Sequence, residues 1–206
     1  DHALDFEFVD QTNSSAMIAV QGPKALGILS SLTTSTIPIG SLKYYSGCAA
    51  TVAGIEAYIS RTGYTGEDGF EITISAGPTQ SLEQLSTTLW EKLLVAGQAD
   101  GIQSCGLGCR DTLRLEAAMP LYGHELNEDI DPLTAGLSFA VKLDKPSFIG
   151  QASLVMIKAN PGEKVRVGLK LASRRIAREH SEVYAGEARI GEVTSGTFSP
   201  TLEQSI

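Results

Sequence analysis

The spacing of apolar residues divides this chain into two halves with different texture. Residues 6–9 and 16–20 read as strands, with a polar turn at Gln11-Thr12-Asn13-Ser14 between them. Gly22-Pro23 opens a helix that runs to about Leu32, with proline placed where a helix tolerates it. Residues 47–52 and 55–60 read as a hairpin turning at Ala53-Gly54. In residues 70–74 the alternation is clean: Phe70, Ile72 and Ile74 share one face, and Glu71 and Thr73 the other. Leu82, Leu85, Leu89 and Leu93 then form the stripe of an amphipathic helix over about 79–96, with Gly97 as its stop. Further helices are predicted over about 108–118, ending before Pro120, and over 150–159, ending near Asn160-Pro161-Gly162. Beyond that only strand patterns remain, at 165–171, 183–185 and 190–195. Mixed elements followed by strands alone predict an α+β fold: a mixed region over residues 1–158, then part of a β domain over 159–206.

Composition narrows the function classes. The chain has 206 residues, enough to bury a core, with 42% hydrophobic and 19% charged residues. A net charge of −8 disfavours nucleic acid as the main partner, because neutralising phosphates needs a basic face. No apolar run approaches the ~18 residues of a membrane span, and no signal peptide opens the chain. Three cysteines, an odd number, suit a reducing compartment better than a disulfide framework. The chain starts at Asp1 without methionine and stops just after a strand-like segment, so it reads as a piece of a longer protein.

Two stretches carry the candidate chemistry. In Arg61-Thr-Gly-Tyr-Thr-Gly-Glu-Asp-Gly-Phe-Glu71, a loop leads into the 70–74 strand, and Glu71 points away from its apolar face. A solvated sheet face and a carboxylate aimed into a cleft both fit that pattern; in a cleft, its two oxygens would accept paired N–H donors from a ring edge. Gly63, Gly66 and Gly69 allow tight turns and close approach of backbone to a ligand, without the lysine and helix of a phosphate loop. In Cys105-Gly-Leu-Gly-Cys-Arg-Asp-Thr-Leu-Arg-Leu-Glu116, Arg110 shares a helical face with Leu113 and Ala117, so partial burial and an anionic partner are expected. Arg114 suits an internal salt bridge with Asp111 or Glu116.

Other features read more plainly. Cys105 and Cys109 are expected as small buried hydrophobes. The run Glu125-Leu-Asn-Glu-Asp-Ile-Asp131 lacks a calcium-hand pattern and reads as a solvated loop. His2, His124 and His180 show no metal-ligand spacing, so no metal is expected. Lys170, Arg174, Arg175 and Arg178 make a basic patch that is either an exposed loop or a steering surface for an anionic partner. No nucleophile–base pair emerges.

The motifs themselves go further. The 61–72 stretch, Gly106-Leu-Gly-Cys-Arg-Asp-Thr-Leu-Arg-Leu-Glu-Ala117, Pro120-Leu-Tyr-Gly-His124 and Gly191-Glu-Val-Thr-Ser-Gly196 resemble, in order, the signature of the aminomethyltransferases, the T-proteins of the glycine cleavage system. Val20-Gln-Gly-Pro-Lys-Ala25 and Phe148-Ile-Gly150 add weaker matches. The resemblance covers nearly the whole chain. It implies an enzyme that takes the aminomethyl group from the lipoyl arm of the H-protein, releases ammonia and makes 5,10-methylenetetrahydrofolate from tetrahydrofolate. It also implies that Glu71 and Arg110 contact the folate, that Tyr64 lines the same pocket, and that Arg166, in Lys164-Val-Arg-Val-Gly168, reaches the folate from the β domain. Phe139 stands where many members carry tryptophan and keeps an aromatic wall. The family's essential acidic residue belongs to an N-terminal portion with no counterpart here, and the end of the β domain is also missing. No catalytic residue is therefore assigned, and the 206-residue chain alone is expected to have little or no transferase activity. The implied compartment is the cytoplasm in a bacterium or the mitochondrial matrix in a eukaryote.

Two related families stay in view. The folate domain of sarcosine or dimethylglycine dehydrogenases looks similar. A folate-binding protein of iron–sulfur cluster maintenance carries Lys-Gly-Cys-x-x-Gly-Gln, against Lys145-Pro-Ser-Phe-Ile-Gly-Gln151 here. The missing cysteine argues against that second relation.

Overall fold

The computed structural model describes residues 5–77 and 79–206, so His2 lies outside the described residues. The chain divides into two compact units, the first ending at Gly106 and the second running from Leu107 to Ile206.

The first unit is an antiparallel sheet with helices against one face. Its elements are β1 (Ser15–Gln21), α1 (Ala25–Leu32), β2 (Thr33–Ser35), β3 (Gly47–Val52), β4 (Ile55–Ser60), β5 (Gly69–Ser75) and α2 (Leu82–Gly97). The strand order is β1-β5-β4-β3-β2, which places β5 near the middle and β1 at an edge. The period-two pattern of β5 is realised: Phe70, Ile72 and Ile74 are buried with Ile59, Val52 and Val20 beneath Leu29 of α1 and Leu89 and Leu93 of α2. The β3–β4 turn is built on Ala53 and Gly54, both left-handed (φ 52° and 83°), the geometry that matches the twist of a two-residue hairpin. Ser81 caps α2 by accepting the Gln84 N–H at 3.3 Å.

Several expectations are corrected. Residues 6–9 form no strand, and Phe6 and Phe8 are exposed; alternation makes a strand only where a neighbour completes the ladder. Gly97 is not the stop of α2. It is the last helical residue, packed so that a Cβ would lie 2.7 Å from Ile102, and the left-handed stop is Gly101 (φ 79°) four residues later.

The second unit holds α3 (Leu107–Glu116), α4 (Gln151–Ala159), the hairpin β6 (Glu182–Ala185) with β7 (Ala188–Glu192), and the short pair β8 (Phe198–Ser199) with β9 (Gln204–Ser205). Among the described residues these two-stranded pieces do not close into a barrel. Residues 165–171 are expected as a strand and are not one; Val165, Val167 and Leu169 are exposed, and the Leu171 N–H donates to the Ser205 carbonyl at 2.9 Å. β7 stops at Glu192 rather than Ser195, although the Val193 N–H still donates to Ser181 O at 2.8 Å. The architecture is α+β with antiparallel sheets.

α3 ends in a paired closure: the Ala118 N–H donates to Leu115 O at 2.9 Å and the Met119 N–H to Arg114 O at 2.8 Å, with Ala118 left-handed at φ 55°. A Cβ is strained there. Ala118→Gly is therefore expected to stabilise the protein by about 0.5–1 kcal/mol, read as a higher urea midpoint.

Candidate functional site

Between β4 and β5 the loop from Arg61 to Asp68 is fixed by charges and amides of its own unit. Arg61 grips Asp68 with two parallel bonds, Nε to Oδ1 at 2.8 Å and Nη2 to Oδ2 at 2.7 Å. Its Nη1 donates to the carbonyls of Leu42 (3.0 Å) and Gly40 (3.2 Å), and the guanidinium lies 5.7 Å from the Phe70 ring centre. From β1, Gln21 Nε2 donates to Thr62 O (3.1 Å) and Phe70 O (3.2 Å), while Thr65 Oγ1 donates to Gln21 Oε1 at 3.2 Å. This explains two of the glycines. A Cβ on Gly63 or Gly69 would lie 1.9 or 2.6 Å from the Gln21 side chain, so the close approach expected of a ligand is made by the protein's own amide. Gly66, with φ 79°, supplies the turn.

The Arg61 bonds hold the Asp68 carboxyl below its ordinary range, and Asp68 raises Arg61 in return. For a depressed acid, the stabilisation is complete above the unfolded value of about 3.9 and is lost as pH falls through the folded value. Asp68 is more than a third exposed, so the effect is modest. Asp68→Asn is expected to lose stability at pH 6 but to show a smaller further loss than the parent between pH 4 and 3. Urea midpoints across that range check it.

Glu71 leaves this loop on the sheet face opposite Phe70, Ile72 and Ile74, in register with Ala19 on one side and Ser60 on the other. Its small neighbours leave it half-buried rather than covered. The Thr62 hydroxyl donates to Glu71 Oε2, and Ser60 Oγ lies 2.9 Å from Thr62 Oγ1, so the carboxylate is oriented before any ligand arrives. Tyr64 is half-buried in the same loop.

In the second unit the burial expected of Arg110 falls instead on Arg114, whose expected salt bridge with Asp111 is present. Arg110 is exposed. Arg114 is the buried one, at 2% exposure, and each of its three guanidinium nitrogens has a partner. Nε and Nη2 reach Asp111 Oδ1 (2.8 and 2.7 Å), Nη1 reaches Met119 O (3.3 Å) and Glu125 Oε2 (3.2 Å), and Nη2 reaches Ser195 Oγ (3.0 Å). Glu116, the other partner considered for Arg114, instead accepts the buried Ser199 hydroxyl. Glu125 is likewise no part of a solvated loop. It is 7% exposed, and burial alone would push its carboxyl up, but hydrogen bonds from Ser195, Thr194 and the Leu121 N–H together with the Arg114 charge hold it below the usual carboxylate range. One cluster thus ties together α3 and the motif stretches at 120–124 and 191–196.

Phe139 is exposed in the 3-10 turn Ser138–Ala140. Arg166 donates from Nε to Ala135 O at 3.0 Å and from Nη1 to Ala118 O at 2.6 Å, and lines a cavity of about 430 Å³ with Leu133, Ile157, Lys158 and Lys164. The basic patch residues Lys170, Arg174, Arg175 and Arg178 are exposed, with Arg174 stacked 4.7 Å from the Phe198 ring centre. Cys105 and Cys109 are exposed rather than buried. His124 and His180 pair with Glu179 (2.8 Å) and Glu192 (2.7 Å); among the described residues no cluster of three or more His, Cys, Asp or Glu has metal-binding geometry. Of the candidate site residues, Tyr64 and Glu71 belong to the first unit, and Arg110, Phe139 and Arg166 to the second.

Residues 1–145 match the family model described as the GCVT N-terminal domain, and residues 164–206 match the glycine cleavage T-protein C-terminal barrel domain. The chain belongs to the glycine cleavage T-protein family. It is 47% identical over 204 residues to proteins named aminomethyltransferase from Bacillus cytotoxicus and from Bacillus cereus strain G9842, covering 98% of this chain and 53% of each relative. It also resembles the crystal structure of the glycine cleavage system aminomethyltransferase T from Bartonella henselae, with a TM-score of 0.77 and 33% identity over 93% of this chain and 50% of that one. The chain therefore spans about half the length of the T-proteins it matches. Within this T-protein chain, sequence reasoning missed Gln21, Thr62 and Asp68 as the supports of the loop, and Glu125 as the anchor of Arg114. Gln21 did carry a signal, as part of a family match at 20–25. No helix of the described residues is long and apolar enough to cross a membrane.

Proposed function

We propose that this chain carries the folate-holding part of an aminomethyltransferase. The intact protein takes the aminomethyl group from the lipoyl arm of the H-protein, releases ammonia and passes the one-carbon unit to tetrahydrofolate. The observation that carries this reading is Glu71: an acceptor carboxylate, oriented by Thr62 and backed by a loop clamped through Arg61, Asp68 and Gln21. Such a group suits the paired N–H donors on the edge of a pterin. Family membership and the relatives named aminomethyltransferase support the same substrate.

In this reading Arg110, Tyr64, Phe139 and Arg166 complete the folate contacts, and the acid that starts the transfer lies in the half of the relatives' length that this chain does not span. The folate region runs over 1–158 and the partial barrel over 159–206, a division that falls between the two family matches. The partners are the H-protein and tetrahydrofolate, with no nucleic acid, metal or membrane involved. The bacterial relatives support a cytoplasmic location.

The test is a coupled assay on the intact protein with aminomethylated H-protein. Ammonia release that depends on tetrahydrofolate is the expected result, with little or none from the 206-residue chain alone. Release by the intact protein at the same rate with and without tetrahydrofolate contradicts the reading.

A further inference from the structure

Tyr44 and Tyr45 are exposed aromatic residues on a segment fastened to the signature loop. Tyr45 holds φ at 64°, a left-handed conformation that bulky residues avoid. Strain of that kind persists only where surrounding bonds over-determine it, and it concentrates at functional sites. Here the bonds are visible. The Tyr45 N–H donates to Arg61 O at 3.0 Å, and the Arg61 N–H donates to Ser46 O at 2.9 Å. On the other side, the Arg61 guanidinium holds the carbonyls of Leu42 and Gly40. The same arginine that grips Asp68 therefore also fixes the tyrosine segment.

The two rings meet edge to face, with centroids 4.5 Å apart and planes at 70°. Yet they remain 44% and 68% exposed, so the packing that usually rewards aromatic residues is left undone. Their position relative to Glu71 follows from the sheet register. Glu71 pairs with Ser60, and Ser60 pairs with Gly47, so the three lie in one row on the same face. Two interstrand steps of about 4.8 Å put Gly47 roughly 10 Å from Glu71. Tyr45 precedes Gly47 by two residues, and the Tyr58 ring overlies Gly47, where an added Cβ would lie 2.7 Å from it. The Tyr44 phenol feels the neighbourhood directly. Partial burial, then the charges of Tyr45, Glu71 and Asp68, hold it above its ordinary value.

We propose that Tyr44 and Tyr45 form the stacking wall for the p-aminobenzoyl ring of tetrahydrofolate, one ring removed from the pterin taken by Glu71. The inference rests on the assignment of Glu71 to the pterin. The chemistry suits the spacing: the ligand has two flat ring systems joined by a short bridge, and the face has one oriented carboxylate with an aromatic pair beyond it. An edge-to-face pair on an anchored loop offers a rigid contact at little entropic cost. Tyr44 and Tyr45 are thus specificity residues for the benzoyl portion, distinct from the carboxylate that reads the pterin edge.

The experiment uses the intact protein and two ligands, tetrahydrofolate and 6-methyltetrahydropterin, which lacks the benzoylglutamate portion. Both are titrated into the parent, Tyr44→Ala, Tyr45→Ala, the two Tyr→Phe variants and Glu71→Ala. Each Tyr→Ala change is expected to weaken tetrahydrofolate binding about three- to tenfold and to leave the pterin unchanged, with the phenylalanine variants close to the parent. Glu71→Ala is expected to weaken both ligands. Alanine variants that weaken both ligands equally, or neither, overturn the proposal while a Glu71→Ala loss leaves the pterin assignment standing. A Glu71→Ala variant that binds both ligands like the parent overturns the assignment and the proposal together. Tyrosine variants that slow the H-protein-dependent rate without changing folate affinity overturn it in favour of the lipoyl arm.

Discussion

Replacing Arg114 by methionine is expected to destabilise the intact protein by about 3–5 kcal/mol, the largest loss from any single change considered. The side chain is at 2% exposure, and its guanidinium donates to Asp111, Met119, Glu125 and Ser195. Methionine fills much of the volume but leaves Glu125 buried without its cation. The remaining hydrogen bonds to Glu125, from the Leu121 N–H and the hydroxyls of Thr194 and Ser195, reduce the penalty without removing it. Adding Glu125→Leu to Arg114→Met should therefore recover a large part of the loss, because an apolar pair can replace a buried ion pair at little net cost while a lone buried charge cannot. Asp111 is half-exposed, and its removal should matter much less. Urea unfolding of the parent and the three variants gives the comparison. An Arg114→Met protein within about 1 kcal/mol of the parent would show that the cluster is not a stabilising hub.

The second large effect falls on ligand binding. Glu71→Ala and Arg110→Ala should each weaken tetrahydrofolate binding about ten- to a hundredfold, as expected for loss of a charge-assisted bond. Glu71 is half-buried on the open sheet face and Arg110 is exposed, so neither change removes core packing and both proteins should fold. Glu71→Gln is the sharper probe. It keeps the shape and one acceptor but replaces the other oxygen with a donor, which opposes the N–H groups of a pterin edge. It should bind at least as poorly as the alanine variant. If the two residues hold the same ligand, the double variant should lose less than the sum of the single losses. Additive losses would place them on independent events.

How much of this was legible in the sequence depends on the range of the interaction concerned. β5 was readable because period-two alternation is local, and its buried residues are the ones the pattern named. The Ala53-Gly54 hairpin was readable for the same reason. Phe6, Phe8 and the valines at 165 and 167 alternate just as well and form no strand, since a single strand's pattern does not contain its partner. The two arginines of α3 make the same point for a site. Spacing four apart gives them similar neighbours, and what buries Arg114 rather than Arg110 is Glu125 and Ser195, 11 and 81 residues away. Glu125 looked solvated because it heads an acidic run, and only the arginine beneath it makes burial tolerable. The glycines of the 61–69 loop were visible as a spacing, but their cause was Gln21, about forty residues earlier in the chain. The resemblance supplied the expected ligand and the residues expected to touch it, which local patterning alone did not.

The most direct measurement is a crystal structure of the intact protein with tetrahydrofolate bound. Pterin N–H donors are expected within about 3 Å of the Glu71 carboxylate, with Thr62 still bonded to its other side. A pterin bound elsewhere, with Glu71 facing only water, would contradict it.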